Sequence, residues 1–356
     1  MTSKLSDICD YAHDKCDTSV LTKNTYISTE NLIPNRGGIK EATSLPVTSF
    51  TQAFCSGDVL ISNIRPYFKK IWLSNFGGGC SNDVLVLRAK EGVDKRFLYY
   101  VLANDAFFEY ATMTSKGTKM PRGDKSAIMD YAIPNLSFET QRKVADILSS
   151  LDNKIDINNK INDNLREQAE AFYTDIFSSK KHTDCVKGHL SDLITVRYGK
   201  DHKKLLDGQY PVYGSGGIMR YAEKALYEKE SVLIPRKGSL NNVIYVNTPF
   251  WSVDTMFYTE MKLPNIAKFV YHFLKNKDLN SLNAGSAVPS MTTEILNSLE
   301  LAIPDSDTLE RFETQVAPIY QYIQQNDHQS EILAKLRDVL IPKLMSGNLD
   351  LTTIEF

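Results

Sequence analysis

The 356-residue sequence lacks most of the features that mark enzymes and membrane proteins. No apolar run approaches the ~20 residues that a transmembrane helix needs. The opening segment MTSKLSDICD has none of the apolar stretch of a secretory signal, so a cytoplasmic protein is expected. Cysteine is scarce and odd in number, at Cys9, Cys16, Cys55, Cys80 and Cys185. With no C-x-x-C spacing, these argue against a disulfide framework or a zinc site and for a reducing compartment. There is no G-x-x-x-x-G-K-[ST] phosphate loop and no H-E-x-x-H, and the six histidines are scattered. No Asp/Asn-Pro-Pro-aromatic tetrapeptide of the kind amino-methyltransferases use is present. The glycine cluster YGSGGI (213–218) fits a tight turn better than a dinucleotide site. The acids of IPDSDTLER (303–311) fit a helix N-terminus better than a nuclease centre, because they complement the positive end of the helix dipole. The chain reads as non-catalytic, with no metal or cofactor of its own.

A charge excess is also missing. Lys and Arg number 41 against 43 Asp and Glu, a formal net charge of −2. That balance argues against binding nucleic acid by bulk charge; any such role needs local basic patches or a partner that adds positive charge. What is present is an ordinary soluble globular composition, 42% apolar and 24% charged, at a length that implies two or three domains.

The chain repeats itself. VLISNIRPYFKKIWLSN (59–75) lies over VLIPRKGSLNNVIYVNT (232–248), and SNDVLVL (81–87) over SVDTMFY (252–258). KRFLYYVLAND (95–105) lies over AKFVYHFLKNK (267–277), both with helical apolar spacing. KGTKMP (116–121) matches AGSAVP (284–289), YAIPN (131–135) matches LAIPD (301–305), and KLSDI (4–8) matches HLSDL (189–193). The offset drifts with loop length around ~170 residues, which implies a duplicated domain rather than a solenoid of ~20–50-residue units.

Each repeat ends in a long stretch with few breakers, 138–179 and 308–347. Apolar residues recur three and four apart: Leu148, Leu151, Ile155, Leu165, Phe172 and Ile176 in the first, Val316, Ile319, Ile323, Leu333, Leu340 and Leu344 in the second. Paired in order, these are 168 residues apart, so the two seams coincide and predict long coiled-coil helices. Ser137 and Asp305 or Asp307 are the expected N-caps, Gly347 the stop of the second helix, and Pro318 and Pro342 the places where that helix is expected to kink or fray. Asn158 and Asn326 occupy seam positions near the helix centres, with Asn162 and Ser330 one turn later. In antiparallel helices Asn158 would approach Asn326, a pairing that penalises slipped registers. The expected fold is α+β: two similar globules separated by two long antiparallel coiled-coil helices, with a pseudo-twofold internal repeat.

Basic residues cluster beside the strand-end turns of both globules. The first has Asn63, Arg65, Lys69 and Lys70, then Lys116, Lys119, Arg122 and Lys125. The second has Arg197, Lys200, Lys203 and Lys204, then Arg220, Arg236, Lys237, Asn241 and Asn242. Tyr67, Tyr198, Tyr213 and Tyr221 are interleaved. Arg suits guanine, Asn adenine and Lys phosphate. A helix of ~38 residues spans ~57 Å, enough to hold two readers about one DNA turn (~34–36 Å) apart.

These residues carry a resemblance to the specificity subunit of type I restriction–modification systems. ILSSLDNKIDINNKINDNLREQAEAFYTDIF (147–177) resembles that family's central conserved helix, and LRDVLIPKLMSGNLDL (336–351) its distal conserved end. YPVYGSGGIMRYAEKALYEKESVLIPRKGSLNNVIYVNTPFWSVDTMF (210–257) is similar to its target-recognition pattern, and the first globule diverges more. The resemblance implies target-recognition domains at 1–137 and 181–305, a central helix at 138–180, a distal helix at 306–347 and a tail at 348–356. It implies that each domain reads half of a bipartite asymmetric double-stranded DNA site. It implies two docked modification subunits that methylate adenine with S-adenosylmethionine, restriction subunits using ATP and Mg, and a bacterial or archaeal cytoplasm. A non-enzymatic coiled-coil scaffold for protein or polysaccharide is the alternative reading.

Overall fold

The structure is a computed structural model that describes residues 2–177, 186–285 and 289–345. Cys185, Gly347, the ends of both expected helix segments and the tail at 348–356 lie outside the described residues, as do residues 286–288 of the AGSAVP match. The chain divides into two compact units, one within 1–158 and 327–356, the other within 159–326.

The first unit opens with β1 (Thr2–Lys4), the short helix α1 (Leu5–Ile8) and β2 (Cys9–Tyr11). Then follow β3 (Lys15–Asp17), β4 (Tyr26–Ile27), β5 (Phe50–Phe54), β6 (Val59–Ser62), β7 (Ile71–Leu73), β8 (Gly78–Cys80) and β9 (Val84–Ala89). Three helices, α2 (Lys95–Leu102), α3 (Asp105–Met113) and α4 (Lys125–Met129), lead to β10 (Ala132–Pro134) and the long α5 (Phe138–Phe177). Each of α2, α3 and α4 starts on a side-chain cap, from Asp94, Asn104 and Asp124, that accepts the free N–H groups of the first turn.

The second unit follows a similar order, with one strand fewer before its central strand and no described helix matching α3: β11 (Val186–His189), α6 (Leu190–Leu193), β12 (Ile194–Tyr198), β13 (Asp207–Gly214), β14 (Gly217–Ala222) and β15 (Ser231–Pro235). It continues with β16 (Ile244–Val246), β17 (Trp251–Ser252), β18 (Met256–Met261), α7 (Ala267–Lys275), α8 (Thr293–Asn297), β19 (Glu300–Ile303) and the long α9 (Ser306–Met345).

The repeat holds through two sheets of each unit. Sheet order β2-β9-β6-β7 in the first unit corresponds to β12-β18-β15-β16 in the second, and β1-β10 to β11-β19. The KLSDI and HLSDL segments fold alike: the backbone N–H of Lys4 donates to Asp7 and that of His189 to Asp192, while Leu5 N–H reaches the Tyr131 carbonyl and Leu190 N–H that of Leu299. A parallel pair also recurs, β4 with β8 and β13 with β17. Around it the units diverge. The first extends β8 outward with β5 and β3, whereas the second extends β13 with β14. That divergence lies in the loops where the two sequences cannot be aligned.

Fully buried strands Val59–Ser62 and Ser231–Pro235 run through the centre of each unit. Both faces of each are covered, as a continuous apolar run requires: Val59, Ile61, Val232 and Ile234 enter the cores that include the helices, while Leu60 and Leu233 enter a second cluster on the other face. In the first unit the ends of the long helices contribute Val144, Leu148, Ile341 and Leu344 to the core; in the second they contribute Ala169, Ile176, Phe312 and Val316. Residue numbers rise along α5 as those of its partners on α9 fall, so the two are antiparallel within each unit: Asp152 meets Arg337 in the first and Asn162 meets Asn326 in the second. Ser137 caps α5 through Thr140 N–H, and Asp305, not Asp307, caps α9 through Thr308 N–H. α9 runs on through Pro318 and Pro342, the two places where a kink or fraying is expected. Midway along the seam Asn158 is fully buried and donates to Gln329 Oε1 (2.9 Å) and Ser330 Oγ (3.2 Å). Asn326, half-buried, donates to Asn162 Oδ1 (2.8 Å).

Candidate nucleic-acid interface

In the first unit β6 runs out into Asn63 and a strained turn. Arg65 (φ 52°) and Lys69 (φ 51°) both take left-handed backbone around a 3-10 turn, Pro66–Phe68. Such backbone is unfavourable for residues with a side chain, by about 1 kcal/mol or more each. Neighbouring backbone holds it: Arg65 N–H donates to the Pro121 carbonyl (2.8 Å), and the Lys69 carbonyl accepts from Arg36 N–H (2.9 Å). The segment carrying Lys116, Lys119 and Arg122 folds over this turn. Lys116 and Arg122 exchange two backbone hydrogen bonds (2.8 and 2.9 Å), and Gly123 N–H donates to the Asn63 carbonyl (3.0 Å). Two basic clusters far apart in sequence thus form one surface.

The second unit builds the same device. Arg236 and Lys237 N–H groups donate to the Thr255 carbonyl (2.9 and 3.2 Å) as β15 ends. Gly238 then turns with φ 89°, its N–H donating to the Pro289 carbonyl (3.2 Å), and the Arg236 carbonyl accepts from Met291 (2.9 Å). Pro289 plays the part of Pro121, as the KGTKMP and AGSAVP match requires.

The side chains differ more than the backbone. In the first unit Lys69 pairs with Asp105 (2.8 Å), Lys116 with Asp124 (2.5 Å) and Arg122 with Asp83 (3.0 Å). Lys70 reaches the Thr29 carbonyl (2.6 Å), and burial pushes its pKa down. Lys119 and Lys125 are exposed, the latter 5.9 Å from the Tyr11 ring centre. Asn63 is buried; its Oδ1 and the Nε of Arg65 have no hydrogen-bond partner among the described residues. In the second unit Arg197 pairs with Glu260 (3.0 Å), which raises its pKa, and Arg220 pairs with Asp207 (2.9 Å). Arg236 lies over the Tyr198 ring (5.3 Å) and donates to the Asp254 carbonyl (3.2 Å). Asn241 donates to Asp278 (3.1 Å) and Asn242 to the Ser215 carbonyl (2.7 Å). Lys200, Lys203, Lys204 and Lys237 are exposed, and none of the four makes a salt bridge among the described residues.

Among the described residues no group of three or more His, Cys, Asp or Glu side chains is placed to hold a metal ion, and no helix is long and apolar enough to cross a membrane. Burial pushes the Cys9 and Cys80 thiols up to about 12, so both stay protonated at neutral pH.

The comparisons with known proteins agree with this doubled architecture. The family described as "Type I restriction modification DNA specificity domain" matches residues 1–167 and 183–340. The chain belongs to this family. Among its relatives, the type I restriction enzyme MjaIX specificity subunit of Methanocaldococcus jannaschii is 25% identical over 304 residues, covering 73% of this chain and 70% of that protein. The HindI specificity subunit of Haemophilus influenzae is 21% identical over 456 aligned positions, covering 97% and 98%. A crystal structure of a type I restriction–modification S subunit from M. genitalium shares the fold with a TM-score of 0.58 at 16% identity, over 97% of this chain and 96% of that one.

Sequence reasoning missed the polar contacts beneath α2 and α7. In the second unit Lys268 is held between Glu230 (2.9 Å) and Glu313 (2.7 Å), with the Tyr245 hydroxyl also on Glu230. One turn on, His272 touches Glu170 (2.6 Å) and the Tyr320 hydroxyl (2.9 Å). In the first unit the matching positions are Arg96, paired with Asp146 (2.8 Å), and Tyr100, which donates to Asp152 (2.7 Å); Arg337 holds the other Asp152 oxygen (2.7 Å). The signal was present: every residue from Ala267 to Leu274 is apolar or aromatic except Lys268 and His272, so α7 has no polar face to send them to.

Proposed function

We propose that each unit reads one half of a bipartite, asymmetric double-stranded DNA site, that the long helices dock two modification subunits, and that the chain performs no reaction itself. The observation that carries this reading is the basic strand-end turn, built twice on one backbone plan and dressed with different side chains, in a chain of a DNA specificity family. A common scaffold with divergent side chains is what two readers of different sequences need. In the first unit the reading residues are Asn63, Arg65, Lys119 and those cations that can leave their carboxylates, Lys69, Lys116 and Arg122; Lys70 positions the turn. In the second they are Arg236, Asn241 and Asn242, and those cations that can leave their carboxylates, Arg197 and Arg220, with Lys200, Lys203, Lys204 and Lys237 on phosphate.

Partner docking draws support from α9, where Ile332, Leu336 and Val339 form an exposed apolar stripe at helical spacing. The modification subunits bring S-adenosylmethionine and methylate adenine, and restriction subunits bring ATP and Mg, in a bacterial or archaeal cytoplasm. Asn158 and Asn326 set the helix register, since a slip would break the bonds of the buried Asn158 to Gln329 and Ser330 and of Asn326 to Asn162.

Coexpression with the modification subunits and mapping of methylated adenines tests the reading; a two-part motif with an unread gap is expected, and methylation without sequence preference overturns it. Arg236→Ala should weaken one half-site alone by ~1–3 kcal/mol. An equal loss on both half-sites and on non-specific DNA reassigns Arg236 to phosphate.

A further inference from the structure

The β13–β14 hairpin of the second unit carries an apolar face that the reading residues above leave unused. Its turn is tight, closing on Gly214 and Gly217, the latter with φ 107°. Tyr213 pairs with Ile218 and Val212 with Arg220, so Met219 is an extra residue outside the ladder. Bulges of this kind re-aim a side chain. Arg220 is drawn back, its Nη2 on the Leu205 carbonyl (2.8 Å) and Asp207 (2.9 Å). What the strand presents instead is Ile218 (48% exposed), Met219 (59%) and Tyr221 (40%).

This face is continuous with the basic turn. Asn242 donates to the Ser215 carbonyl at the hairpin tip (2.7 Å), and a Cβ on Gly238 would sit 3.2 Å from Ser215 Oγ. Lys200, Lys203 and Lys204 lie on the strand-to-strand connection that enters the hairpin, and Lys237 on the turn beside it. An apolar surface rimmed by cations without carboxylate partners fits a ligand that offers negative charge at its edges and apolar groups between them. The major groove of DNA does so: it admits a two-stranded β-ribbon, lines it with phosphate, and displays the 5-methyl group of thymine. Methionine, unbranched and polarizable, moulds to such a group.

We propose that Ile218 and Met219 are specificity-determining residues that pack on thymine methyl groups in the half-site read by the second unit. This rests on the DNA-reading function proposed above. The test uses the assembled complex with its modification subunits. Once methylation mapping has defined both half-sites, each thymine is replaced singly by deoxyuridine, which removes only the methyl group. Wild-type complex should lose about three- to five-fold in affinity at one or more positions of one half-site, the scale of one buried methyl. The Ile218→Ala/Met219→Ala variant should bind thymine and uracil forms of that half-site equally, and Met219→Leu should restore part of the discrimination. Uracil tolerated by wild type at every position, a half-site with no A·T pair, or a variant that keeps the full uracil penalty overturns the proposal. A variant that no longer assembles with the modification subunits also overturns it and assigns the face to protein. A wild-type complex with no sequence preference is a different result, which sinks the DNA-reading function itself.

Discussion

The two units place a polar clasp at the same point under their readers, yet build it from different groups. Under α2 the clasp is Tyr100, Asp152 and Arg337, with Arg96 half-exposed on Asp146. Under α7 it is Lys268 between two glutamates and His272 between Glu170 and Tyr320, with both α7 side chains buried. The repeat has therefore kept the position of the clasp and let its chemistry drift. Each version orients its reader on the long helices through directional bonds that apolar packing alone does not supply.

The sharpest way to separate the two clasps is to remove the cations at the matching positions of α7 and α2, Lys268 and Arg96. Lys268 has 7% of its side chain exposed, and Lys268→Met would leave Glu230 and Glu313 facing each other in a largely buried site. A loss of about 3–5 kcal/mol is expected for breaking a buried pair from one side. Arg96, 39% exposed against an Asp146 that is 48% exposed, should cost under about 1 kcal/mol as Arg96→Met. Thermal unfolding of the two variants reads the difference; equal shifts would show that burial does not distinguish the clasps.

Next in size is the Tyr100 hydroxyl, which donates to a carboxylate also held by Arg337. Tyr100→Phe should destabilise by about 1.5–3 kcal/mol, the range for a hydrogen bond to a charged group. A negligible shift would assign the whole clasp of the first unit to the Asp152–Arg337 pair.

These contacts also mark where reading the sequence stopped short. The buried strands, the paired helices and the caps at Ser137 and Asp305 follow from local pattern, because apolar periodicity and N–H satisfaction act within a few residues. The strand-end turns were legible for the same reason, as Pro235 and Gly238 punctuate the second and Pro66 the first. Which cations were free to meet a ligand was not legible. Lys69, Lys116 and Arg122 look like Lys200 and Lys237 in sequence, and only the fold brings Asp105, Asp124 and Asp83 to the first three. Nor did anything in YGSGGIMRY foretell that Arg220 would turn inward and leave Ile218 and Met219 outside.

A smaller effect separates the clasps by pH. Burial pushes His272 below the ordinary histidine value of 6.5; Glu170 partly opposes this, and Lys275 adds to it. The folded state thus binds this proton less readily than the unfolded chain. Stability of the second unit is full above pH 6.5 and falls as the pH drops below it, towards the lower folded value, by at most ~1.4 kcal/mol per pH unit. Tyr100 occupies the matching place in the first unit, a phenol that titrates above this window and that burial pushes higher still. His272→Gln should flatten the acid limb of an unfolding-against-pH series; an unchanged limb would trace it to carboxylates instead.

The smallest expected effect tests the charge contrast on the reading surfaces. Lys237 and Lys200 make no salt bridge among the described residues, so each can take up a phosphate without giving up an internal partner. Lys237→Ala or Lys200→Ala should reduce the log–log salt slope of DNA binding by ~0.9 for each phosphate that is no longer neutralised. Lys69 and Lys116 must first leave Asp105 and Asp124, and a carboxylate released in the process repels the same phosphate. Lys69→Ala and Lys116→Ala should therefore change the slope by less than half as much. Equal changes at all four positions would mean that the internal pairs of the first unit open on binding, which would make its turn a surface rearranged by DNA rather than one formed in advance.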